Sequence, residues 1–149
     1  MLTDPLTKLG NRRLLYLLIE PLVPSSVRRK DPFRILLLDI DNFKLFNDEF
    51  GHSAGDDLLA EVSDILKDCS RDQDLVIRHG GEEFLLVLPS TSLESAQILV
   101  NRIRCAIKAK TAVTCSGGIA MHCEQLSFKQ LVEKADQYLY ATKHEGKDC

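Results

Sequence analysis

Two runs of apolar residues constrain the fold of this 149-residue chain more than any other feature. Arg34–Asp39 has the sequence RILLLD, and Glu83–Leu88 is apolar after its first residue. Continuous apolar runs of this length, bounded by polar residues and glycines, are typical of buried strands. Gly80 and Gly81 separate the second run from another short apolar segment, Leu75–Arg78, and this arrangement predicts a β-hairpin.

Amphipathic segments lie between these strands. Apolar residues at helical spacing predict four helices, namely residues 11–20, part of 47–69, 93–108 and 128–143. A last strand is expected over Ala112–Ala120. The order helix, strand, helix, hairpin, helix, strand, helix predicts an α/β (α+β sandwich) domain over residues 1–149. Its ferredoxin-like, palm-type βαββαβ core would form a mostly antiparallel sheet flanked by helices.

Composition excludes several classes of protein. The net charge of −3 argues against a general nucleic-acid-binding protein, which is usually basic. No run of about 18 apolar residues is present, so no segment is expected to insert into a membrane. The five cysteines are odd in number and form no CxxC pair, which favours a reduced, cytoplasmic protein.

Carboxylates follow two of the predicted strands. Glu82 and Glu83 leave the glycine turn, and Asp39 and Asp41 lie at the end of the first apolar run. If these strands are neighbours, three or four carboxylates converge on one point, and their repulsion would raise some of their pKa values. A divalent cation would remove this conflict, and oxygen ligands without a His or Cys cluster suit Mg²⁺ or Mn²⁺. The alternative is a strand-end aspartate beside a solvated hairpin turn.

Five segments resemble motifs of one family. HGGEEF resembles the signature of the GGDEF domain, the diguanylate cyclase family, in its GGEEF variant. Four further segments resemble motifs of the same family and occur in the family's order. DPLTKLGNRR at Asp4–Arg13 resembles DxLTGLxNRR, and LDIDNFKLFNDEFGHSAGDDLL at Leu38–Leu59 resembles DxDxFKxxND…GHxxGDxxL. VTCSGGIA at Val113–Ala120 resembles TxSxGxA, and ADQYLYATKHEGKD at Ala135–Asp148 resembles ADxALYxAKxxGRN. The departures are mild and occur at Lys8, Gly117, Lys147 and Asp148.

The resemblance implies an enzyme that condenses two GTP molecules into cyclic di-GMP and releases pyrophosphate. Each 3′-hydroxyl attacks the α-phosphate of the other nucleotide, and a transient homodimer brings the two together. The implied metal ligands are Asp39, the backbone carbonyl of Ile40, and Glu83. Glu82 is implied as general base or further ligand, and Arg78 as a group that supports the transition state.

The resemblance also assigns residues to the nucleotide. Gly80 and Gly81 would let the backbone approach ribose and phosphates. The β- and γ-phosphates would be held by three lysines, Lys44, Lys143 and Lys147. Asn47 and Asp56 would recognise guanine, although Asn47 could also be a plain helix cap.

An inhibitory product site is implied by the RxxD sequence that begins at Arg71 and ends at Asp74. This site would bind cyclic di-GMP. The Arg71 guanidinium would donate hydrogen bonds to guanine O6 and N7, and the Asp74 carboxylate would accept from the guanine N–H groups. A second hypothesis for the whole chain is a non-catalytic module that binds GTP or cyclic di-GMP. Such domains are usually fused to a sensor, so we expect a single domain excised from a longer protein that could be membrane-tethered elsewhere.

Overall fold

A central sheet with helices on both faces forms the protein. The computed structural model describes residues 1–19, 33–121 and 127–145. The strands in these residues are β1 (Phe33–Ile40), β2 (Leu75–Arg78), β3 (Glu83–Pro89) and β4 (Cys115–Met121). The helices are α1 (12–19), α2 (Phe43–Phe50), α3 (His52–Cys69), α4 (Leu93–Lys110) and α5 (Phe128–Glu145).

The sheet has the predicted ferredoxin-like topology. Its strand order is β2-β3-β1-β4, and every neighbouring pair is antiparallel. The hairpin of β2 and β3 around the glycine turn is confirmed. The last strand begins at Cys115 rather than at Ala112, because Thr111 folds back at the end of α4 and its hydroxyl accepts a hydrogen bond from the Val113 N–H.

Both faces of β1 are buried, which explains its continuous apolar run. Leu36 and Leu38 face a core formed with α3 and α4, and Ile35 and Leu37 face a second core formed with α1 and α5. Alternate residues of a strand point to opposite faces, so each face requires its own apolar residues.

Helix α5 lies directly on β4, and Gly118 makes this packing possible. A Cβ at Gly118 would lie 2.5 Å from the Leu139 nitrogen and would also collide with the Ala135 carbonyl oxygen. On the other face, a Cβ at Gly117 would lie 3.0 Å from Leu38 Cδ2. Gly118 therefore lets α5 approach the sheet, whereas Gly117 leaves room for Leu38 on the opposite face.

The predicted segment 47–69 contains two helices rather than one. Gly51 ends α2 and precedes α3 with a φ of 92°, a backbone conformation that favours glycine. This turn brings Asn47 of α2 against Gly55 of α3, where a Cβ would collide with the Asn47 side chain.

Two further observations concern the expectations from composition. None of the helices in the described residues is long and apolar enough to cross a membrane. Cys69 and Cys115 are free thiols, but Cys105 is disulfide-bonded. The expectation of a wholly reduced chain was therefore wrong at Cys105, whose exposed position on α4 leaves its sulfur open to a partner.

Candidate functional site

The register of β1 and β3 places two acidic residues opposite each other. Asp39 pairs with Glu83 across the strands, and the Ile40 N–H donates to the Glu82 carbonyl at 3.3 Å. Directly opposed residues of antiparallel strands point to the same face, with Cβ atoms about 4.5–5.5 Å apart. Like charges at such a position are destabilising, so the pair favours a bound cation.

Asp41 does not join this pair. Its carboxylate is buried and accepts hydrogen bonds from the hydroxyls of Thr114 and Ser116, each at 2.8 Å. In the described part of the chain, no group of three or more His, Cys, Asp and Glu residues could hold a metal ion. Asp41 therefore does not belong to the predicted carboxylate group, because its carboxylate ties the end of β1 to β4 on the side away from the hairpin.

Arg78 holds the glycine turn in place. Its Nε donates to the Gly80 carbonyl at 3.3 Å, and its Nη2 donates to the Gly81 carbonyl at 2.9 Å. The N–H groups of His79 and Gly80 both donate to the Glu83 carbonyl, at 2.9 and 3.2 Å. In this structure the guanidinium therefore positions the turn that leads into Glu82 and Glu83.

The same guanidinium joins the turn to the N-terminal segment. Arg78 Nη1 donates to both carboxylate oxygens of Asp4, at 3.1 and 3.2 Å. Asp4 also accepts from the Thr7 N–H at 2.8 Å and the Thr7 hydroxyl at 2.7 Å. Burial alone would raise the pKa of Asp4, but the hydrogen bonds from Thr7 and the Arg78 charge outweigh it and hold that pKa below its ordinary value.

The turn after Thr7 explains one departure from the family motif. Lys8 has a φ of 64°, in the left-handed region that favours glycine. The family motif usually has glycine at this position, so Lys8 keeps the required backbone conformation at a cost of about 1–2 kcal/mol.

The two residues predicted to recognise guanine lie near the joint between α2 and α3. Asn47 lies inside α2 rather than at its cap, so the plain helix-cap alternative was wrong. Asp56 is exposed in the first turns of α3. The Asn47 Oδ1 atom is buried and accepts no hydrogen bond from any described residue. An unsatisfied buried acceptor costs about 1–3 kcal/mol. Because this atom lies against Gly55, a ligand donor could reach it only after the Asn47 side chain moves.

The predicted phosphate lysines are only partly described. Lys44 is exposed on the first turn of α2. The structure describes the backbone of Lys143, in α5, but not its side chain. Lys147 lies outside the described residues.

The predicted product site is a closed ion pair in this structure. Arg71 Nη2 lies 2.9 Å from Asp74 Oδ1, and the same nitrogen donates to the Thr91 hydroxyl at 2.6 Å. The Asp74 side chain is 0% exposed, whereas that of Arg71 is 46% exposed. Asp74 thus orients Arg71, and its predicted contact with guanine would require the ion pair to open.

Arg102 belongs to the same surface and was missed in the sequence. A cavity of about 220 Å³ beside the ion pair is lined by Arg71, Asp74 and Arg102 of α4. No local motif marks Arg102, because packing of α4 against α3 brings it there. A second exposed arginine on one wall makes this surface more suitable for an anion.

Comparison with known proteins identifies similar chains. The family described as "Diguanylate cyclase, GGDEF domain" matches residues 1–149. Diguanylate cyclase DgcP of Pseudomonas aeruginosa is 41% identical and covers 99% of this chain. Diguanylate cyclase A of Treponema denticola is 39% identical and covers 98%. The chain spans only 23% and 43% of the lengths of these two relatives.

Solved structures with similar folds include a diguanylate cyclase and a further GGDEF domain. SiaD of Pseudomonas aeruginosa, solved in complex with its activator SiaC, has a TM-score of 0.93 and 36% identity, over 99% of this chain and 60% of that chain. The GGDEF domain of DgcB from Caulobacter crescentus, solved in complex with c-di-GMP, has a TM-score of 0.93 and 28% identity, over 98% and 89%.

The network around Asp4 predicts a pH-dependent loss of stability. We expect Asp4→Asn to lower the free energy of unfolding at pH 7 by about 1–3 kcal/mol, because Arg78 loses its charged partner. The folded-state pKa of Asp4 is depressed. The contribution of ionised Asp4 to the free energy of unfolding is therefore complete above the pKa of an unfolded aspartate, about 3.9. This contribution disappears as the pH falls through the lower pKa of the folded state.

Urea unfolding of Asp4→Asn and wild type at several pH values would measure this effect. The difference between the two proteins should be constant from about pH 5 to 8 and should shrink below about pH 4. Asp57→Asn, at an exposed position on α3, is the control and should show no such difference. An Asp4→Asn deficit that is equally large at pH 3 would contradict this assignment.

Proposed function

Because the chain belongs to the GGDEF family of diguanylate cyclases, we propose that it condenses two GTP molecules into cyclic di-GMP and releases pyrophosphate. The observation that carries this proposal is the register that sets Asp39 opposite Glu83 at the end of the glycine turn. Two opposed carboxylates suit a reaction at a phosphate, because together they can hold a divalent cation.

The donor atoms at this place fit Mg²⁺ or Mn²⁺. Carboxylate oxygens of Asp39 and Glu83, with the Ile40 carbonyl and Glu82 beside them, are hard ligands. Mg²⁺ is usually bound by one or two carboxylates and completes its coordination with substrate phosphates, so a group of three carboxylates is not required. A cation held there would neutralise charge that develops on the α-phosphate and the leaving pyrophosphate.

The protein's own residues then position and deprotonate the nucleophile. Glu82 follows Gly81 directly and is half-buried. We therefore assign Glu82 the role of general base, which accepts the proton of the attacking 3′-hydroxyl. Arg78 keeps the turn rigid through its bonds to Gly80 and Gly81, and thereby fixes where Glu82 stands. Correct placement of the hydroxyl supplies much of the rate enhancement in such a displacement.

Guanine recognition is assigned to Asn47 and Asp56. The buried Asn47 Oδ1 lacks a donor among the described residues, and the guanine edge carries donors at N1 and N2. The exposed Asp56 carboxylate can accept from the same edge. Adenine has a lone pair at N1 instead, and a mismatch of this kind costs about 1–3 kcal/mol. Lys44, Lys143 and Lys147 are assigned to the β- and γ-phosphates.

One chain provides only one such centre. A symmetric product requires each nucleotide to attack the other, so we propose that two copies face each other in a transient two-fold dimer. We further propose that cyclic di-GMP binds at Arg71 and Asp74 and slows the reaction. The exposed guanidinium of Arg71 and the neighbouring Arg102 support an anionic ligand at this surface.

A second candidate is a module that binds GTP or cyclic di-GMP without turning it over. The similar DgcB domain was solved in complex with c-di-GMP, and this complex supports a binding role as the second candidate. Incubation of the wild-type chain with GTP and Mg²⁺ or Mn²⁺, followed by chromatography, separates the two candidates. Cyclic di-GMP and pyrophosphate should accumulate, whereas a binding module would leave GTP intact.

The carboxylate pair can be tested by neutral replacements. Asp39→Asn and Glu83→Gln keep the shape of each side chain but remove its charge. Each should lower the rate of cyclic di-GMP formation at least about a hundredfold, because the developing phosphate charge loses its counter-ion. Asp57→Asn and Glu61→Gln, at exposed positions on α3, are matched controls and should retain the wild-type rate. Wild-type turnover by both site variants would remove the metal from the mechanism.

The product site is tested by Arg71→Ala. Added cyclic di-GMP should inhibit this variant at least about tenfold less effectively than wild type, because the exposed guanidinium is lost. Its initial rate without product should stay within about twofold of wild type, and the control Lys108→Ala should be inhibited normally. Equal inhibition of Arg71→Ala and wild type would show that this RxxD segment only closes a turn.

A further inference from the structure

A basic cavity lies beside the glycine turn, and no residue role assigned above accounts for it. Its volume is about 460 Å³, within the range of about 300–1,000 Å³ that is usual for small-molecule sites. Gly80 and Gly81 form one wall, and Arg12 and Arg13, at the start of α1, form another.

Among the residues that line this cavity, positive charge predominates. Neither Arg12 nor Arg13 makes a hydrogen bond or ion pair in the described part of the chain. Asp4 is the acidic residue among the lining residues, and Arg78 and Thr7 already occupy its carboxylate. Two guanidinium groups thus face the cavity without a partner.

His79 strengthens the case for an anion. It lines the cavity, and its Nδ1 is buried with no hydrogen-bond partner among the described residues. A buried ring nitrogen without a partner suits a ligand that can form a hydrogen bond with it.

The arginines lie on the same face of the sheet as the carboxylate pair. Asp39 is two residues from Leu37, and Glu83 is two residues from Leu85, so each pair points to the same face of the sheet. Leu37 and Leu85 pack into the core that contains Leu15 of α1. An anion in the cavity would therefore touch the glycine turn from the side on which the two carboxylates stand.

We propose that Arg12 and Arg13 form an oligophosphate subsite that takes either phosphates of the incoming GTP or the released pyrophosphate. This inference rests on the proposed function, because that reaction supplies such an anion at the glycine turn. Guanidinium groups bind phosphate oxygens with paired hydrogen bonds, and two of them match a diphosphate better than a single charge would. The subsite is distinct from the three lysines assigned to the β- and γ-phosphates.

Titration of inorganic pyrophosphate into the chain without divalent cations tests the subsite directly. The double variant Arg12→Gln/Arg13→Gln should bind at least about tenfold more weakly than wild type. Lys108→Gln/Lys110→Gln removes the same charge from the exposed end of α4 and should bind within about twofold of wild type. Unchanged binding in the arginine variant, or no binding by wild type, would overturn the proposal. Unfolding temperatures of all three proteins should agree, since these side chains are exposed.

Steady-state kinetics then distinguishes the two sources of the anion. A raised KM for GTP in the arginine variant assigns the subsite to the substrate, and a raised inhibition constant for pyrophosphate with unchanged KM assigns it to the product. If neither constant changes, the subsite is wrong. If wild type makes no cyclic di-GMP but pyrophosphate binding still depends on Arg12 and Arg13, the proposed function fails and the subsite stands.

Discussion

The antiparallel pairing of β1 with β3 is the constraint on which the site depends. The paired residues run from Phe33 opposite Pro89 to Asp39 opposite Glu83. A slip of one residue would move every side chain of β1 to the other face, and both faces are packed against helices. The two apolar cores therefore fix the register, and the register alone sets the two carboxylates opposite each other. Their mutual repulsion is offset by hydrophobic burial elsewhere in the same strands.

A second constraint keeps the turn itself in place. Arg78 joins three parts of the chain, because its side chain binds Asp4, Gly80 and Gly81 while its backbone N–H donates to the Gly10 carbonyl at 2.9 Å. The N-terminal segment and the glycine turn therefore form one hydrogen-bonded unit. The basic cavity lies within this unit, so the same contacts that position Glu82 also position Arg12 and Arg13.

The sequence predicted the architecture well because local patterns determine it. Apolar runs, helical spacing and the glycine turn indicated the strands, the helices and the hairpin, and their order indicated the topology. Asp41 was misplaced because its position depends on hydroxyls of Thr114 and Ser116, which are distant in sequence. Arg102 carries no local signal, since only helix packing brings it near Arg71. The roles of the site residues remain predictions because no contact within the protein tests them.

We propose that one chain presents half of a reaction centre. The register gives one carboxylate pair, and the proposed guanine site at Asn47 and Asp56 would hold one base. The most direct test is the rate of cyclic di-GMP formation per chain over a wide dilution series, with sedimentation of the same samples. We predict a rate per chain that rises with concentration and levels off once dimers predominate. A constant rate from a protein that sediments as a monomer throughout would contradict the account, because one chain would then complete the reaction alone.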